Sequence, residues 1–282
     1  MFDLNKTNRV IEDFEKVLKA PRLDAKGPLY CGVDLGTAFI VIAVVDDKGQ
    51  PVAGAYQYAS VVKDGMVVDY IGACDIVRKL KEDLEKSLGQ ELIYAACAIP
   101  PGTERTDGGA VKNVCESAGF EIVKVIDEAS AANVLIGLDK GAVVDIGGGT
   151  TGIALIKDSK VVEVYDEATG GTHFSLVISG AKKISFDEAE LYKRDDKNHK
   201  EILPIVGPVI DKISSIIERS IKGHEVDEVI LVGGTACLTG MEDRIQKKLQ
   251  INTHKPEDPM FVTPMGIALA CMNEKEGTDG RH

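Results

Sequence analysis

An aspartate followed by a glycine-punctuated turn, set between two apolar runs, occurs twice in this chain. The first copy reads Tyr30-Cys31-Gly32-Val33-Asp34-Leu35-Gly36-Thr37-Ala38, the second Val143-Val144-Asp145-Ile146-Gly147-Gly148-Gly149-Thr150-Thr151. Phe39–Val45 leaves the first turn and Ile153–Ile156 the second. Each copy therefore predicts a β-hairpin whose turn presents backbone N–H groups and a carboxylate on one side. One such turn is ordinary. Two of similar build, about 110 residues apart, predict a duplicated lobe with a nucleoside triphosphate gripped between the copies.

Composition narrows the function classes. At 282 residues, with 44% apolar and 28% charged residues, the chain has the make-up of a globular protein with one large or two smaller cores. A net charge of −12 excludes nucleic acid as the main partner, because phosphate backbones are held by clustered Lys and Arg. A bound phosphate must then be held by backbone amides and a cation. The cysteines at 31, 74, 97, 115, 237 and 271 stand singly, as reduced buried thiols do, and the five histidines show no metal-ligand spacing. The longest apolar run, Ala38–Val45, is too short to span a bilayer, so a cytoplasmic protein with no membrane partner is expected.

Strands alternating with helices predict an α/β fold of two lobes, each a mixed sheet with flanking helices. Residues 1–28 read as an amphipathic helix (Val10, Ile11, Phe14, Val17 and Leu18 on one face, Asn8 its cap) and a linker. That helix either docks on the body or is offered to a partner. The first lobe takes 29–138 plus 258–273, the second 139–257, and 274–282 reads as a disordered tail. Strands are predicted at 29–33, 40–45, 52–58, 94–99, 121–126 and 229–232, with a hairpin through Lys63-Asp64-Gly65 to a strand over 67–70. The strand at 94–99 ends at Pro100-Pro101-Gly102. Helices are predicted after Asp75, from Asp107 to Ala118, at 129–136, after Gly170-Gly171, after the Ser185-to-Glu188 capping box, and at 202–222, 240–249 and 264–272.

Gly36 and Gly147, Gly148 and Gly149 allow close approach of an anion, since no Cβ intervenes. Asp34 and Asp145 are carboxylates suited to a hydrated Mg²⁺, which takes only one or two from protein. Thr37 and Thr150 supply hydroxyls to the same phosphates, with Ala38 and Thr151 beside them. Glu128, at a strand–helix junction, either orients an attacking water or serves the helix N-terminus. Gly233-Gly234, with Thr235, either admits a nucleoside or makes a strand-to-helix turn. Glu190 with Lys193 and Arg194 either brackets ribose and base or forms a surface ion pair. His173 reads as a helix N-terminal residue rather than a base.

Asp34-Leu35-Gly36-Thr37, Asp127-Glu128-Ala129-Ser130, Asp145-Ile146-Gly147-Gly148-Gly149-Thr150, Val232-Gly233-Gly234-Thr235 and Thr263-Pro264-Met265-Gly266 resemble the five ordered motifs of the actin–hexokinase–DnaK superfamily. These are phosphate 1, connect 1, phosphate 2, adenosine and connect 2. Val61–Asp69 and Ala98–Thr103, with the short total length, further resemble the ethanolamine-utilisation protein J family, compact DnaK-like proteins encoded with bacterial microcompartment enzymes. The resemblance implies two ribonuclease-H-like lobes binding ATP or ADP. It places Asp34 and Asp145 on Mg²⁺, Glu128 on the water, Thr150 on the γ-phosphate, and Gly233 and Gly234 at the nucleoside. Departures from the DnaK pattern are Ala38 for a second threonine, Cys237 for a base-stacking arginine, and Pro264-Met265-Gly266 without a carboxylate. Slower or weaker nucleotide use than in DnaK is therefore expected. Lys63 is a candidate for the cleft lysine of DnaK-type ATPases. The roofing subdomains of actin and a peptide-binding domain after 272 are expected to be absent.

The expected activity is a slow Mg-dependent ATPase acting as a chaperone or reactivation partner, with a protein client such as ethanolamine ammonia-lyase, another microcompartment enzyme, or the shell. Localisation within or on a microcompartment follows from that. A polymerising bacterial actin like MreB is the alternative, and a small-molecule kinase ranks last.

Overall fold

The structure, a computed structural model, describes residues 3–63, 65–99 and 108–279. Asp64, Pro100-Pro101-Gly102, Thr103 and Asp107, named above, lie outside the described residues, as do 280–282. The chain divides into two compact units, Met1–Gly137 with Phe261–His282 and Leu138–Met260. Among the described residues no helix is long and apolar enough to cross a membrane.

In the first unit, helix α1 (Leu4–Lys19) precedes strands β1 (Tyr30–Leu35), β2 (Phe39–Val45) and β3 (Pro51–Tyr58). A two-stranded hairpin, β4 (Val62–Lys63) and β5 (Met66–Val67), leads to helix α2 (Tyr70–Leu88). Then come β6 (Tyr94–Ile99), α3 (Gly108–Ser117), β7 (Glu121–Asp127) and α4 (Glu128–Ile136). The sheet order is β3-β2-β1-β6-β7, an antiparallel meander with β6 and β7 parallel to β1. β1 and β2 are apolar almost throughout because both faces are covered. Cys31, Val33, Leu35, Ile40 and Ile42 form one core with Val77 and Leu80 of α2 and Val114 of α3.

The second unit repeats this plan. It comprises β8 (Gly141–Ile146), β9 (Thr151–Lys157), β10 (Lys160–Glu167), α5 (Gly171–Lys182) and α6 (Phe186–Arg194). α7 (His199–Ser220), β11 (Glu228–Val232), α8 (Met241–Leu249) and β12 (Asn252–His254) complete it. The order is β10-β9-β8-β11-β12, again three antiparallel strands and then two parallel ones. Phe174, Ile178, Val206, Ile210, Ile213 and Ile217 pack on Val144, Ile146, Ile153 and Leu155. α7 carries Pro204 and Pro208 within its first half. The final helix, α9 (Val262–Asp279), belongs to the first unit.

The structure differs from the sequence reading in four respects. α2 begins at Tyr70, not after Asp75, because Asp69 caps it by accepting the Gly72 N–H at 2.9 Å. Its first turn exposes Tyr70 and Ile71, so apolar periodicity did not mark it. β10 and β12 were not anticipated: β10 is an edge strand with no fully buried residue, and β12 has three residues. α9 runs on through Asp279 where a tail from 274 was expected. Its later turns are fastened by Glu274 to Lys124 at 3.1 Å and by Lys275, whose ammonium lies 3.8 Å from the Tyr94 ring centre.

The fourth difference is α1. Its cap is Asp3 rather than Asn8, and its apolar face is used within its own unit. Ile11, Phe14 and Val17 are buried. The Phe14 ring occupies the place of the missing side chain of Gly54 on β3, where a Cβ would come within 2.6 Å of it. Its centroid lies 5.4 Å from that of Phe261 in an edge-to-face contact. Segment 1–28 is thus part of the first unit, and its apolar face is not on offer to a partner while docked. Phe14→Ala is expected to cost about 3–5 kcal/mol in chemical denaturation. A loss below about 0.5 kcal/mol would mean that α1 does not stay docked in solution.

Candidate functional site

The second unit's turn is built backbone against backbone. The Gly147 N–H donates to Thr150 O at 3.0 Å, closing the hairpin between β8 and β9. The carbonyls of Gly147 and Gly148 accept from Gly171 N at 3.0 Å and Thr172 N at 2.7 Å, the first amides of α5. Thr235 Oγ1 donates to Gly147 O as well, at 2.7 Å. Across a trans peptide the C=O and the next N–H point opposite ways. With the carbonyls of 147 and 148 held toward α5, the N–H groups of Gly148 and Gly149 turn away from it, as an anion cradle requires.

Gly170 and Gly171 make this possible. A Cβ on Gly170 would lie 2.6 Å from Gly147 O, and one on Gly171 would lie 2.4 Å from Thr235 Oγ1. Both glycines serve the loop by close packing beneath it. Gly233 has a similar duty. At φ +89° it lies beside Asp145, and a Cβ there would meet Asp145 Oδ1 at 2.3 Å. Asp145 is 5% exposed and level with Val232 at the end of β11. A Cβ at Gly234, by contrast, would meet nothing within 4 Å, so the open side of this turn is there.

The Glu190–Lys193 pair is not the surface ion pair that spacing alone makes the default. The two side chains are 9% and 14% exposed and 2.7 Å apart. The Lys193 ammonium also donates to Gly171 O at 3.0 Å and Ser175 Oγ at 2.9 Å, so its three protons are committed inside the protein. Burial lowers the Lys193 pKa, opposed by the Glu190 carboxylate. Arg194 folds back on Glu190, its Nε 3.2 Å from the Glu190 carbonyl. α6 is therefore bound to the first turn of α5, next to Thr235 and the loop. His199, unremarked in the sequence, is buried and joins the same assembly. Its Nδ1 accepts the Thr239 N–H at 3.2 Å, which assigns the proton to Nε2, 3.2 Å from Lys193 O. His173 Nδ1 lies 3.4 Å from Gly170 N, in the helix N-terminal role expected of it. Cys237 is held 3.8 Å from Asp258, and burial pushes its thiol up to about 12.

A residue that sequence reasoning missed sits in the same row. Asp166 on β10 pairs with Gly152 on β9, which pairs with Asp145 on β8. Its Oδ1 is buried without a hydrogen-bond partner among the described residues, and the nearby Thr150 hydroxyl favours its charged form. Burial first, then the negative charges of Asp145 and Glu167, raise its pKa to about 6 against the effect of that hydroxyl. Only the unanticipated strand β10 brings it here.

In the first unit Asp34 lies near the carboxyl end of β1. Gly36 N donates to Phe39 O at 2.9 Å, and a Cβ on Gly36 would lie 2.9 Å from that oxygen, so the turn itself demands glycine. Thr37 and Ala38 complete it, Ala38 O accepting from Ala59 N at 3.1 Å. Asp127 caps α4, accepting the Ser130 N–H at 2.8 Å, which leaves Glu128 as the first helical residue and not the cap. β1, β6 and β7 are parallel, and Val33 is level with Cys97 and Ile99 with Asp127. Asp34 and Glu128 thus stand at the carboxyl ends of strands two apart, about 10 Å by strand spacing. Lys63 is exposed on β4. Among the described residues no three His, Cys, Asp or Glu are grouped to hold a metal.

The raised Asp166 pKa has a stability consequence. The folded state holds this proton more tightly than the unfolded chain, so stability falls as pH rises from about 4 to about 6 and stays reduced above. Asp166→Asn is expected to gain Tm relative to the parent at pH 7.5, by ~3 °C, with the gain shrinking toward pH 4. A difference independent of pH would show that Asp166 is not perturbed.

The chain matches the families described as type IV pilus assembly protein PilM, over residues 121–261, and MreB/Mbl protein, over residues 52–183. The ethanolamine utilization protein EutJ of Escherichia coli (strain K12) is 44% identical over 253 residues, 89% of this chain and 89% of that protein. The crystal structure of EutJ from Carboxydothermus hydrogenoformans is similar at TM-score 0.89 and 46% identity, covering 94% of this chain and 98% of that one. MreB5 of Spiroplasma citri bound to AMPPNP is similar at TM-score 0.75 and 18% identity, over 91% and 99% of the two chains, a likeness of fold. The chaperone protein HscA homolog of Vibrio atlanticus (strain LGP32) is 29% identical over 206 residues, 57% of this chain and 33% of its own length. The chain belongs to the ethanolamine utilization protein EutJ family, within the actin-like ATPase superfamily.

Proposed function

We propose that this protein binds Mg-ATP and hydrolyses it slowly, and that the nucleotide state governs its action as a chaperone or reactivation partner of an ethanolamine-utilisation enzyme. The observation that carries nucleotide binding is the Gly147–Thr150 turn, whose Gly147 and Gly148 carbonyls are committed to α5 and Thr235, which turns the Gly148 and Gly149 amides the other way. In a protein of net charge −12, such amides are the means of holding phosphate. Asp34 and Asp145 each contribute one carboxylate to Mg²⁺, which keeps most of its waters and takes its remaining ligands from phosphate. That donor set suits magnesium better than zinc. Glu128, the first residue of α4, orients water. The nucleoside is taken on the open side of Gly234, near α6. The fully engaged Lys193 positions that helix instead of gripping the base. The MreB5 neighbour bound to AMPPNP and the partial likeness to HscA support the nucleotide and chaperone readings. The likeness to the ethanolamine utilization protein EutJ supports a place in ethanolamine utilisation, and residence at a microcompartment is proposed with it.

Asp145→Ala and Asp34→Ala are each expected to weaken Mg-ATP binding at least tenfold in calorimetry, since each removes a charged ligand of the cation. Binding unchanged in both variants would refute the site. A second reading, polymerisation as in bacterial actins, is favoured by the MreB/Mbl match over 52–183. Light scattering on ATP addition separates the two. No concentration-dependent rise is expected, and a steep one would install the filament reading instead.

A further inference from the structure

We infer that His199 is a positioning residue for the nucleoside: its buried ring bridges the two walls between which base and ribose are received, and fixes their spacing. The inference rests on the nucleotide reading above, which takes the nucleoside on the open side of Gly234, near α6. At the α6 wall, His199 Nε2 donates at 3.2 Å to Lys193 O, a carbonyl of the last turn, which has no partner within the helix. At the other wall, Nδ1 accepts the Thr239 N–H at 3.2 Å, with the Thr239 hydroxyl 3.0 Å from the same nitrogen. His199 is 4% exposed, so both contacts are made away from solvent.

The contact at Thr239 reaches Gly234 through bonded backbone. Ala236 N donates to Gly233 O at 3.1 Å and Leu238 N to Thr235 O at 3.3 Å. The Lys255 ammonium closes the same segment from its far end, donating to Ala236 O at 3.1 Å and Leu238 O at 2.9 Å. Residues 233–239 therefore form one hydrogen-bonded piece. The end of α6 is another, its Lys193 side chain bound to α5 and its Tyr192 carbonyl held by Asn198 Nδ2 at 3.0 Å. Between the two pieces stands an imidazole, with no rotatable bond between its nitrogens. The Gly147 and Gly148 carbonyls are held by α5 and Thr235 and not by His199. A ligand that uses both walls gains from their preset spacing, and one held by the loop alone does not. His199 acts through these walls and touches no ligand.

Calorimetry with Mg-ATP on the full chain, and displacement of Mg-ATP by Mg-tripolyphosphate, test this. Tripolyphosphate has no nucleoside and reports the loop by itself. His199→Ala is expected to weaken ATP binding about tenfold, the effect of buried hydrogen-bonding groups left unpaired, and to leave tripolyphosphate within about twofold of the parent. His199→Asn keeps an acceptor for the Thr239 N–H but is too short to reach Lys193 O. It breaks the bridge with less disturbance, and the same split is expected. Equal losses for ATP and tripolyphosphate, or ATP binding within about twofold of the parent in both variants, overturn the inference and leave nucleotide binding standing. Failure of both variants to fold overturns it as well, since His199 would then serve the fold alone. A parent protein that binds no Mg-ATP, or from which tripolyphosphate displaces none, overturns the nucleotide reading and this inference with it.

Discussion

The second unit's site depends on close packing at five glycines. Gly147 and Gly148 give their carbonyls to the first amides of α5, and Gly170 has no room for a side chain beneath them. Gly171 clears the Thr235 hydroxyl that holds the same carbonyl, and Gly233 clears the Asp145 carboxylate. A Cβ at Gly170, Gly171 or Gly233 would come within 2.6, 2.4 and 2.3 Å of these atoms, so larger residues there would displace the loop. The Glu190, Lys193, Ser175 and His199 network reinforces this from behind, tying α6 to the α5 terminus. Buried polar groups of this kind fix geometry more than they add stability.

The first unit repeats the strand order but solves its packing differently. Its sheet meets α9 at Gly32, where a Cβ would lie 2.4 Å from the backbone of Ala268 and Pro264. α9 in turn meets α4 at Gly266, within 1.9 Å of the Ala131 carbonyl by the same measure. Helix, strand and helix are thus stacked at the closest distance the backbone permits. α4 carries Glu128 at its start, and β1 carries Asp34, so glycines far from any chemistry set the level of both carboxylates. Gly54 does the same for α1 through Phe14.

Much of this was legible in the sequence because it is written in local chemistry. The two hairpins follow from apolar runs interrupted by Asp and Gly, the stop of α2 from Gly89 in the left-handed conformation, and the start of α6 from Ser185 and Glu188. What was illegible is tertiary. β10 holds the β-formers Val161, Val162, Val164 and Tyr165, but no regular apolar alternation and no buried residue mark a core face, and Asp166 was lost with it. The spacing of Glu190 and Lys193 is equally good for a surface pair, and only contact with Ser175 and Gly171 distinguishes them. Gly233 reads in the sequence either as admitting a nucleoside or as a strand-to-helix turn, and Gly170 and Gly171 as opening a helix; what the sequence does not show is that the atoms nearest all three are the protein's own. The run of α9 past 272 depends on Lys124 and Tyr94, which lie far away in sequence.

The central claim is that the amides of Gly148 and Gly149 receive the phosphates of a nucleotide. Backbone ¹⁵N–¹H spectra of the protein titrated with Mg-AMPPNP test it without requiring turnover. Large, saturable downfield shifts of the Gly148 and Gly149 amide protons are expected, with small changes at Gly171 and Thr172, whose N–H groups already bond the loop. Saturable binding that leaves the Gly148 and Gly149 amides unmoved would contradict the claim and place the nucleotide elsewhere.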